Sequence, residues 1–115
     1  MATNTFKRKF STGIGTTATA VGGYSVLLDV QTTAIGLALA NVTASQITVS
    51  VTLNTQAGDT IHNVKDAPIP SGAALIPIGG DQKVVMEHND QIKVVSDTAS
   101  SVDAILSILE IDTST

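Results

Sequence analysis

The side chains best suited to acid–base or metal chemistry in this chain are its two histidines, His62 and His88. Neither lies two or four residues from another histidine, the spacings that bring two imidazoles to one face of a strand or helix. Metal binding by either histidine with a nearby carboxylate, such as Asp59 or Asp90, would need further ligands from distant strands. We interpret both histidines as exposed residues of turns or strand ends, and we expect no metal and no cofactor.

The acidic residues and glycines that could belong to other catalytic sites fit tight turns instead. Asp59, Asp81 and Asp90 lie where aspartate side chains bond to their own backbone in turns. The glycine pairs at 22–23 and 79–80 lack the length and the following lysine of a phosphate-binding loop. No Gly-x-Ser-x-Gly sequence marks a nucleophilic serine. We therefore predict that the protein is not an enzyme.

The N-terminal segment has the chemistry of a binding site. Lys7, Arg8 and Lys9 precede every acidic residue and are flanked by Phe6 and Phe10. The segment before residue 29 has a formal charge of +3, whereas three lysines and ten acidic residues give the rest of the chain −7. An acidic body argues against nucleic acid as its partner. We predict that these five residues contact another protein; the alternative is that the basic residues only keep a flexible terminus soluble.

Composition divides the chain into two parts. Residues 1–23 are rich in Thr, Ser, Ala and Gly and too poor in large apolar side chains to form a core, so we predict an N-terminal arm that orders on contact with a partner. Residues 24–115 are predicted to form one domain with an aliphatic core, because the 115-residue chain has only three aromatic residues. Without cysteine it has no disulfide framework. No apolar stretch approaches the length that spans a bilayer, so we expect no membrane partner.

Short runs of Val, Ile and Thr between Gly, Pro, Asn and Asp predict β-strands. The strongest pattern is at 46–54, where polar and apolar residues alternate without a break, as in a strand with one buried face. The predicted strands are 24–30, 33–41, 46–54, 60–64, 73–78, a broken pair at 82–87 and 91–96, and 102–111. Two of them, 33–41 and 46–54, are predicted to form a hairpin, and 102–111 fits a helix as well as a strand.

The regular spacing of these strands predicts the fold class. It is an all-β antiparallel β-sandwich, jelly-roll or immunoglobulin-like, of about seven to eight strands with an extended N-terminal arm. Prolines refine the strand limits, because they cannot donate to a β-ladder. They make 67–70 a connection and 73–78 an edge or bulged strand.

One predicted strand has a row of small residues on one side. Gly36, Ala38 and Ala40 alternate with larger apolar residues. Small side chains allow another backbone to approach closely. We therefore expect this side to pack against a neighbouring subunit.

Four stretches carry a resemblance to a known family. They are the Pro-Ile-Pro-Ser-Gly connection within 66–72, the Gly-Asp-Gln-Lys turn and apolar strand at 79–87, the Asn-Asp-Gln-Ile-Lys-Val segment at 89–94, and the closing strand 101–111, which begins Ser-Val-Asp and ends Leu-Glu-Ile. Over roughly residues 33–111 the chain resembles small virion structural proteins of tailed bacteriophages, particularly cyanobacterial and marine phages. These are scaffold motifs, so the resemblance implies a fold and a context but no active site.

The resemblance implies a capsid decoration or cement protein on the outside of the phage head, made in the bacterial host cytoplasm. Its partners would be the major capsid protein or other virion proteins, and itself in a homo-oligomer, a trimer by analogy. The alternative is a neck, tail or fibre component, including an adhesin that binds a host receptor or glycan through loops 56–59 and 88–90. Sugar sites usually stack rings on aromatic side chains, and the chain has none after Tyr24.

Overall fold

The computed structural model describes residues 3–79 and 83–113. That part of the chain contains nine strands, all paired antiparallel, and one short 3-10 turn at Val21–Gly23. The strands are β1 (Thr3–Ile14), β2 (Thr19–Ala20), β3 (Val30–Asn41), β4 (Ile47–Asn54), β5 (Thr60–Ile69), β6 (Ala74–Ile78), β7 (Val84–Met86), β8 (Gln91–Ser96) and β9 (Val102–Asp112). No helix in the described ranges is long and apolar enough to cross a membrane.

The strands form two sheets that pack against each other, which confirms the predicted β-sandwich. Sheet A has the order β1-β9-β3-β6, and sheet B has the order β2-β8-β4-β5. Strand β7 also pairs with β3, beyond β6 along the same edge. If β6 and β7 are counted as one interrupted strand, each sheet has four strands and the order is that of a jelly roll.

The core between the sheets is aliphatic. In β9 every second residue from Val102 to Glu110 is buried and the residues between them are exposed or half-buried. That alternation has the period of a strand, which decides between the two interpretations of 102–111. Side chains from both sheets, such as Leu37 of β3 and Val49 of β4, join one buried cluster.

The predicted hairpin of 33–41 with 46–54 is wrong, because β3 lies in sheet A and β4 in sheet B. The loop between them crosses the edge of the sandwich, and Asn41 holds it there. The buried Asn41 side chain donates to the carbonyls of Ser45, at 2.8 Å, and Ile69, at 2.9 Å, and accepts from Thr43. Strands β7 and β8 likewise belong to different sheets. Residues 80–82, which include the predicted turn residue Asp81, lie outside the described ranges.

Two other strand predictions need correction. Residues 24–29 form a connection instead of a strand: Val26 exchanges backbone hydrogen bonds with Asn89 and Asp90, and Asp29 adopts a left-handed turn conformation. Strand β5 continues to Ile69, through residues predicted as a connection. It tolerates Pro68 because β5 is an edge strand, where one side of the backbone needs no partner. The prediction of an edge strand at 73–78 is confirmed by β6.

The N-terminal segment is part of the sandwich. Strand β1 pairs with β9 from Thr3 opposite Asp112 to Ser11 opposite Ala104, so residues 3–14 form an edge strand of sheet A. The extended arm predicted over 1–23 is not shown. Composition did not reveal this pairing because backbone bonding to β9 needs few large apolar side chains on β1.

Candidate interaction surface

The aromatic side chains of β1 point away from the core. In the β1–β9 register Phe6 lies opposite Leu109 and Phe10 opposite Ile105. Directly opposed residues point to the same side of a sheet, and the buried residues of β9 are the alternate ones. Phe6 and Phe10 therefore lie on the outer side of sheet A, whereas Lys7 and Lys9 lie on the inner side. This polarity is the reverse of what a sheet with a solvated outer face requires.

The exposed phenylalanines belong to a larger apolar area. We call it the outer apolar face and define it as Phe6, Phe10, Ile76, Val85, Ile105 and Leu109. Five of the six expose half or more of their surface: 73% for Phe6, 58% for Phe10, 67% for Ile76, 72% for Val85 and 51% for Ile105. Gly36, Ala38 and Ala40 point to the same side, opposite Ser107, Ile105 and Asp103. The face thus crosses sheet A from β1 to β6 and β7, with small residues in its middle.

The size of this face distinguishes it from scattered surface leucines and valines. The face runs over four residue steps of β1 and β9, from Phe6 to Phe10, which is about 14 Å between Cα atoms and about 20 Å with the side chains. Across four strands about 4.8 Å apart, this gives a footprint of about 400 Å². The largest apolar patch on a typical monomer covers about 300–600 Å² and often has a binding role. A standard protein interface buries about 800 Å² on each partner. The outer apolar face is therefore large enough to form about half of one partner's side of such an interface.

The basic residues next to the phenylalanines have different surroundings. Lys7 forms an ion pair with Glu110, with Nζ 2.8 Å from Oε1, and Lys9 Nζ lies 5.5 Å from the centre of the Tyr24 ring. Arg8 lies opposite Ser107, on the outer side of the sheet. Of the predicted contact residues, the structure places Phe6, Arg8 and Phe10 on the outer side. It places Lys7 and Lys9 on the inner side, next to Glu110 and Tyr24.

A buried polar cluster fixes β1 to the sandwich. Tyr24 Oη donates to Glu110 Oε2 at 2.7 Å and lies 2.7 Å from Thr32 Oγ1, and all three side chains are buried. Burial raises the pKa of the Glu110 carboxyl. The hydrogen bonds from Lys7 and Tyr24 and the charges of Lys7 and Lys9 outweigh burial, so the pKa lies below its ordinary value. Burial, with a smaller contribution from Glu110, raises the pKa of Tyr24 and keeps its hydroxyl protonated.

The 3-10 turn packs against the same strand. Gly22 has a φ of 63° and its N–H donates to Ser11 Oγ at 2.8 Å. A Cβ at this position would lie 2.8 Å from Lys9 Cβ and 3.1 Å from the backbone nitrogen of Phe10. Glycine is thus required both by the left-handed conformation and by the close approach to β1.

A second feature is a polar cleft of about 730 Å³ between two loops predicted as a recognition surface. It is lined by Thr55, Gln56, Ala57, Asp59, Glu87, His88 and Asp90. The Asp90 carboxylate accepts backbone hydrogen bonds from Glu87, at 2.9 Å, and Gln56, at 3.4 Å. In the other loop, the Asp59 backbone N–H donates a hydrogen bond to the Thr55 hydroxyl at 3.1 Å. The Asp90 side chain therefore bonds the backbone of its own turn, as predicted, whereas the Asp59 carboxylate lies 3.5 Å from the Thr55 hydroxyl.

The histidines do not come together. His88 Nδ1 lies 3.2 Å from the Val26 carbonyl, and His62 lies on β5, in the wall of an apolar cavity of about 130 Å³. Within residues 3–79 and 83–113, no group of three or more His, Asp or Glu side chains has the geometry to hold a metal ion.

Sequence reasoning missed four members of the outer apolar face: Ile76, Val85, Ile105 and Leu109. A signal for two of them was present in β9, where apolar residues occupy both alternating sets of positions. Such a run is typical of a strand that is covered on both sides. The other two lie on β6 and β7, and their position depends on the pairing with β3.

Comparisons with known proteins give a fold and no family. No protein-family model matches the chain, and no curated protein matches it. Among solved structures, the chain is similar to one described as "Bacillus endospore appendages form a novel family of disulfide-linked pili". The TM-score is 0.57 and the identity 13%, over 98% of this chain and 89% of that chain. The 115 residues contain no cysteine, so they cannot form the disulfide link named for those pili. At this identity the comparison shows the β-sandwich fold alone.

Proposed function

We propose that this protein is a non-enzymatic structural subunit that docks onto a larger assembly through the outer apolar face of sheet A. The observation that carries the proposal is the reversed polarity of β1, whose two phenylalanines face outward while its two lysines face inward. The resemblance described above favours one assembly, the bacteriophage virion. The protein would then be a decoration or cement protein on the outside of the head, and its partner the major capsid protein.

The free-energy cost of exposing apolar side chains to water supports a docking role for this face. Two phenylalanines that each expose more than half of their surface leave roughly 200–300 Å² of apolar area in water. Covering that area on a partner would stabilise the complex, at about 25 cal/mol per Å² before the cost of association. A flat sheet face with small residues in its middle also suits another flat surface, because backbones can approach closely there.

The proposal is tested by electron microscopy of phage capsids assembled without the protein and then incubated with the purified chain. Wild-type chain should add regular density at local symmetry axes. A variant with both Phe10→Ser and Ile105→Ser should add none. The matched control is Leu28→Ser, which removes a side chain that is 69% exposed and lies on the connection before β3. Equal decoration by the face variant and the control would refute the proposal.

The charge on this face gives a separate prediction. Arg8 is exposed on the outer side, beside Phe6 and Phe10. Arg8→Ala should weaken capsid binding by roughly three- to tenfold at low salt and reduce its salt dependence, because an exposed charge acts mainly on association. Cosedimentation at several salt concentrations measures both. Substituting all three basic residues would be less informative, since Lys7 also pairs with Glu110.

The polar cleft favours a second candidate, an adhesin of the phage tail. The two loops predicted as a recognition surface do meet, and Gln56 and His88 line the space between them. Binding of the wild-type chain to a glycan array, lost in Gln56→Ala and His88→Ala, would support this candidate. Binding that survives both substitutions, or no binding at all, would count against it.

A further inference from the structure

The free edge of β1 differs from the other sheet edges in the described part of the chain. Strand β2 has two residues, β5 contains Pro68 and two register shifts, and β6 is separated from β7 and contains Pro77. Short strands, prolines, bulges and charged side chains are the usual devices that prevent sheet edges from pairing with other molecules. Strand β1 has 12 residues, no proline and a regular register from Thr3 to Ser11. Its basic residues, Lys7, Arg8 and Lys9, disfavour the registers that place them opposite like charges. In the remaining registers its outer edge is suited to accept another strand.

Symmetry restricts how a second copy of β1 can bind there. A two-fold axis perpendicular to the sheet pairs the strands antiparallel, keeps both outer faces on one side and places one residue opposite its own copy. If that residue were Lys7, Arg8 or Lys9, like charges would lie directly opposite each other, which is destabilising. A centre at Phe10 would extend the pairing into the irregular stretch between Ser11 and Ile14.

A centre at Phe6 avoids both problems, and it pairs seven described residues, 3–9, whereas a centre at Thr5 pairs only five. It pairs Phe6 with its own copy, Thr5 with Lys7, Asn4 with Arg8 and Thr3 with Lys9. Each base then faces a neutral polar side chain, and the two aromatic rings are neighbours. The paired stretch of residues 3–9 ends at Lys9, where Gly22 packs against the strand.

We infer that two copies of the chain pair through their β1 strands, antiparallel and centred on Phe6. The two A sheets then form one continuous sheet, with their outer apolar faces side by side. The role of this joint face in docking rests on the proposed function. Two faces side by side would bind an assembly more tightly than one face alone. The pairing itself does not depend on that function.

Cysteine crosslinking tests the register, because the natural chain contains no cysteine. Phe6→Cys should oxidise to a disulfide-linked dimer, since directly opposed Cβ atoms lie about 4.5–5.5 Å apart. The matched control is Phe10→Cys, on the same strand and the same face. In this register the two copies of residue 10 are about 27 Å apart. Phe6→Cys should crosslink at least about tenfold faster than Phe10→Cys.

Analytical ultracentrifugation of the full chain gives an independent test. Wild-type protein should sediment as a dimer, Phe6→Lys as a monomer because it places two lysines opposite each other, and Phe10→Lys as a dimer. Both positions are exposed, so neither substitution threatens the fold. A monomeric wild type, or equal crosslinking at the two positions, would overturn the pairing. Loss of capsid binding in a variant that still dimerises would instead implicate the outer apolar face alone.

Discussion

At the scale of single residues, alternation along β1 separates side chains that the sequence places together. Lys7, Arg8 and Lys9 form one basic run in the sequence, and we predicted one common role for them. In the sheet, Arg8 faces outward while Lys7 and Lys9 reach Glu110 and Tyr24. Glu110 lies about a hundred residues from Lys7 in the sequence, and Tyr24 directly follows the 3-10 turn. Local sequence patterns cannot reveal such contacts.

The Glu110 carboxylate should make stability depend on pH. Its pKa is lowered in the folded protein, so its contribution is present above the ordinary value of 4.5 and is lost as pH falls through the folded value. Glu110→Gln should cost about 1–3 kcal/mol at pH 7 and clearly less near pH 3. Urea unfolding at several pH values measures this, with the exposed Glu87→Gln as control. A cost for Glu110→Gln that is the same at every pH would contradict the ion-pair assignment.

Asn41 gives a second prediction at this scale. Asn41→Ala should lower the free energy of unfolding by about 2–4 kcal/mol, because it leaves the carbonyls of Ser45 and Ile69 and the N–H of Thr43 without their partner. Denaturant unfolding measures the loss. Asn63→Ala, on the exposed side of β5, is the control and should change stability little. Similar losses in the two variants would show that the crossover loop does not depend on Asn41.

At the scale of elements, the sequence predicted strands better than it predicted their partners. Alternation identified β4, because a strand with one buried face imposes its period on the residues. In β9 apolar residues occupy both alternating sets of positions, so its sequence fitted a helix as well as a strand. Pairing in a jelly roll joins strands that are distant in sequence, as β1 with β9, and short loops such as 42–46 cross between sheets instead of closing hairpins. The outer apolar face was hidden for the same reason: its members come together only through this pairing.

The docking of β1 under the 3-10 turn can be tested with two adjacent glycines. Gly22 and Gly23 both have positive φ, but a Cβ at 22 would contact β1 while one at 23 meets nothing within 4 Å. Gly23→Ala should cost about 1 kcal/mol from its conformation alone, and Gly22→Ala should cost at least about 1 kcal/mol more. Hydrogen exchange should also show faster exchange of β1 amides in Gly22→Ala. Equal effects of the two substitutions would mean that the turn does not pack on β1.

At the scale of the whole molecule, the chain combines a well-packed aliphatic sandwich with an apolar outer surface on one of its two sheets. The core accounts for the inner residues of β3 and β9, and every described buried side-chain nitrogen and oxygen has a hydrogen-bond partner. Stability of the isolated fold does not require Phe6, Phe10 or Ile105 on the outside. Their placement is therefore the feature that the proposed role in assembly would explain.

Hydroxyl-radical labelling, read by mass spectrometry on the free chain and on capsid-bound chain, tests that explanation most directly. We predict that Phe6, Phe10 and Ile105 lose most of their labelling on the particle, while Leu28 stays labelled in both states. Equal labelling of the three face residues in the free and bound chain would show that this surface remains in water, and would contradict docking through sheet A.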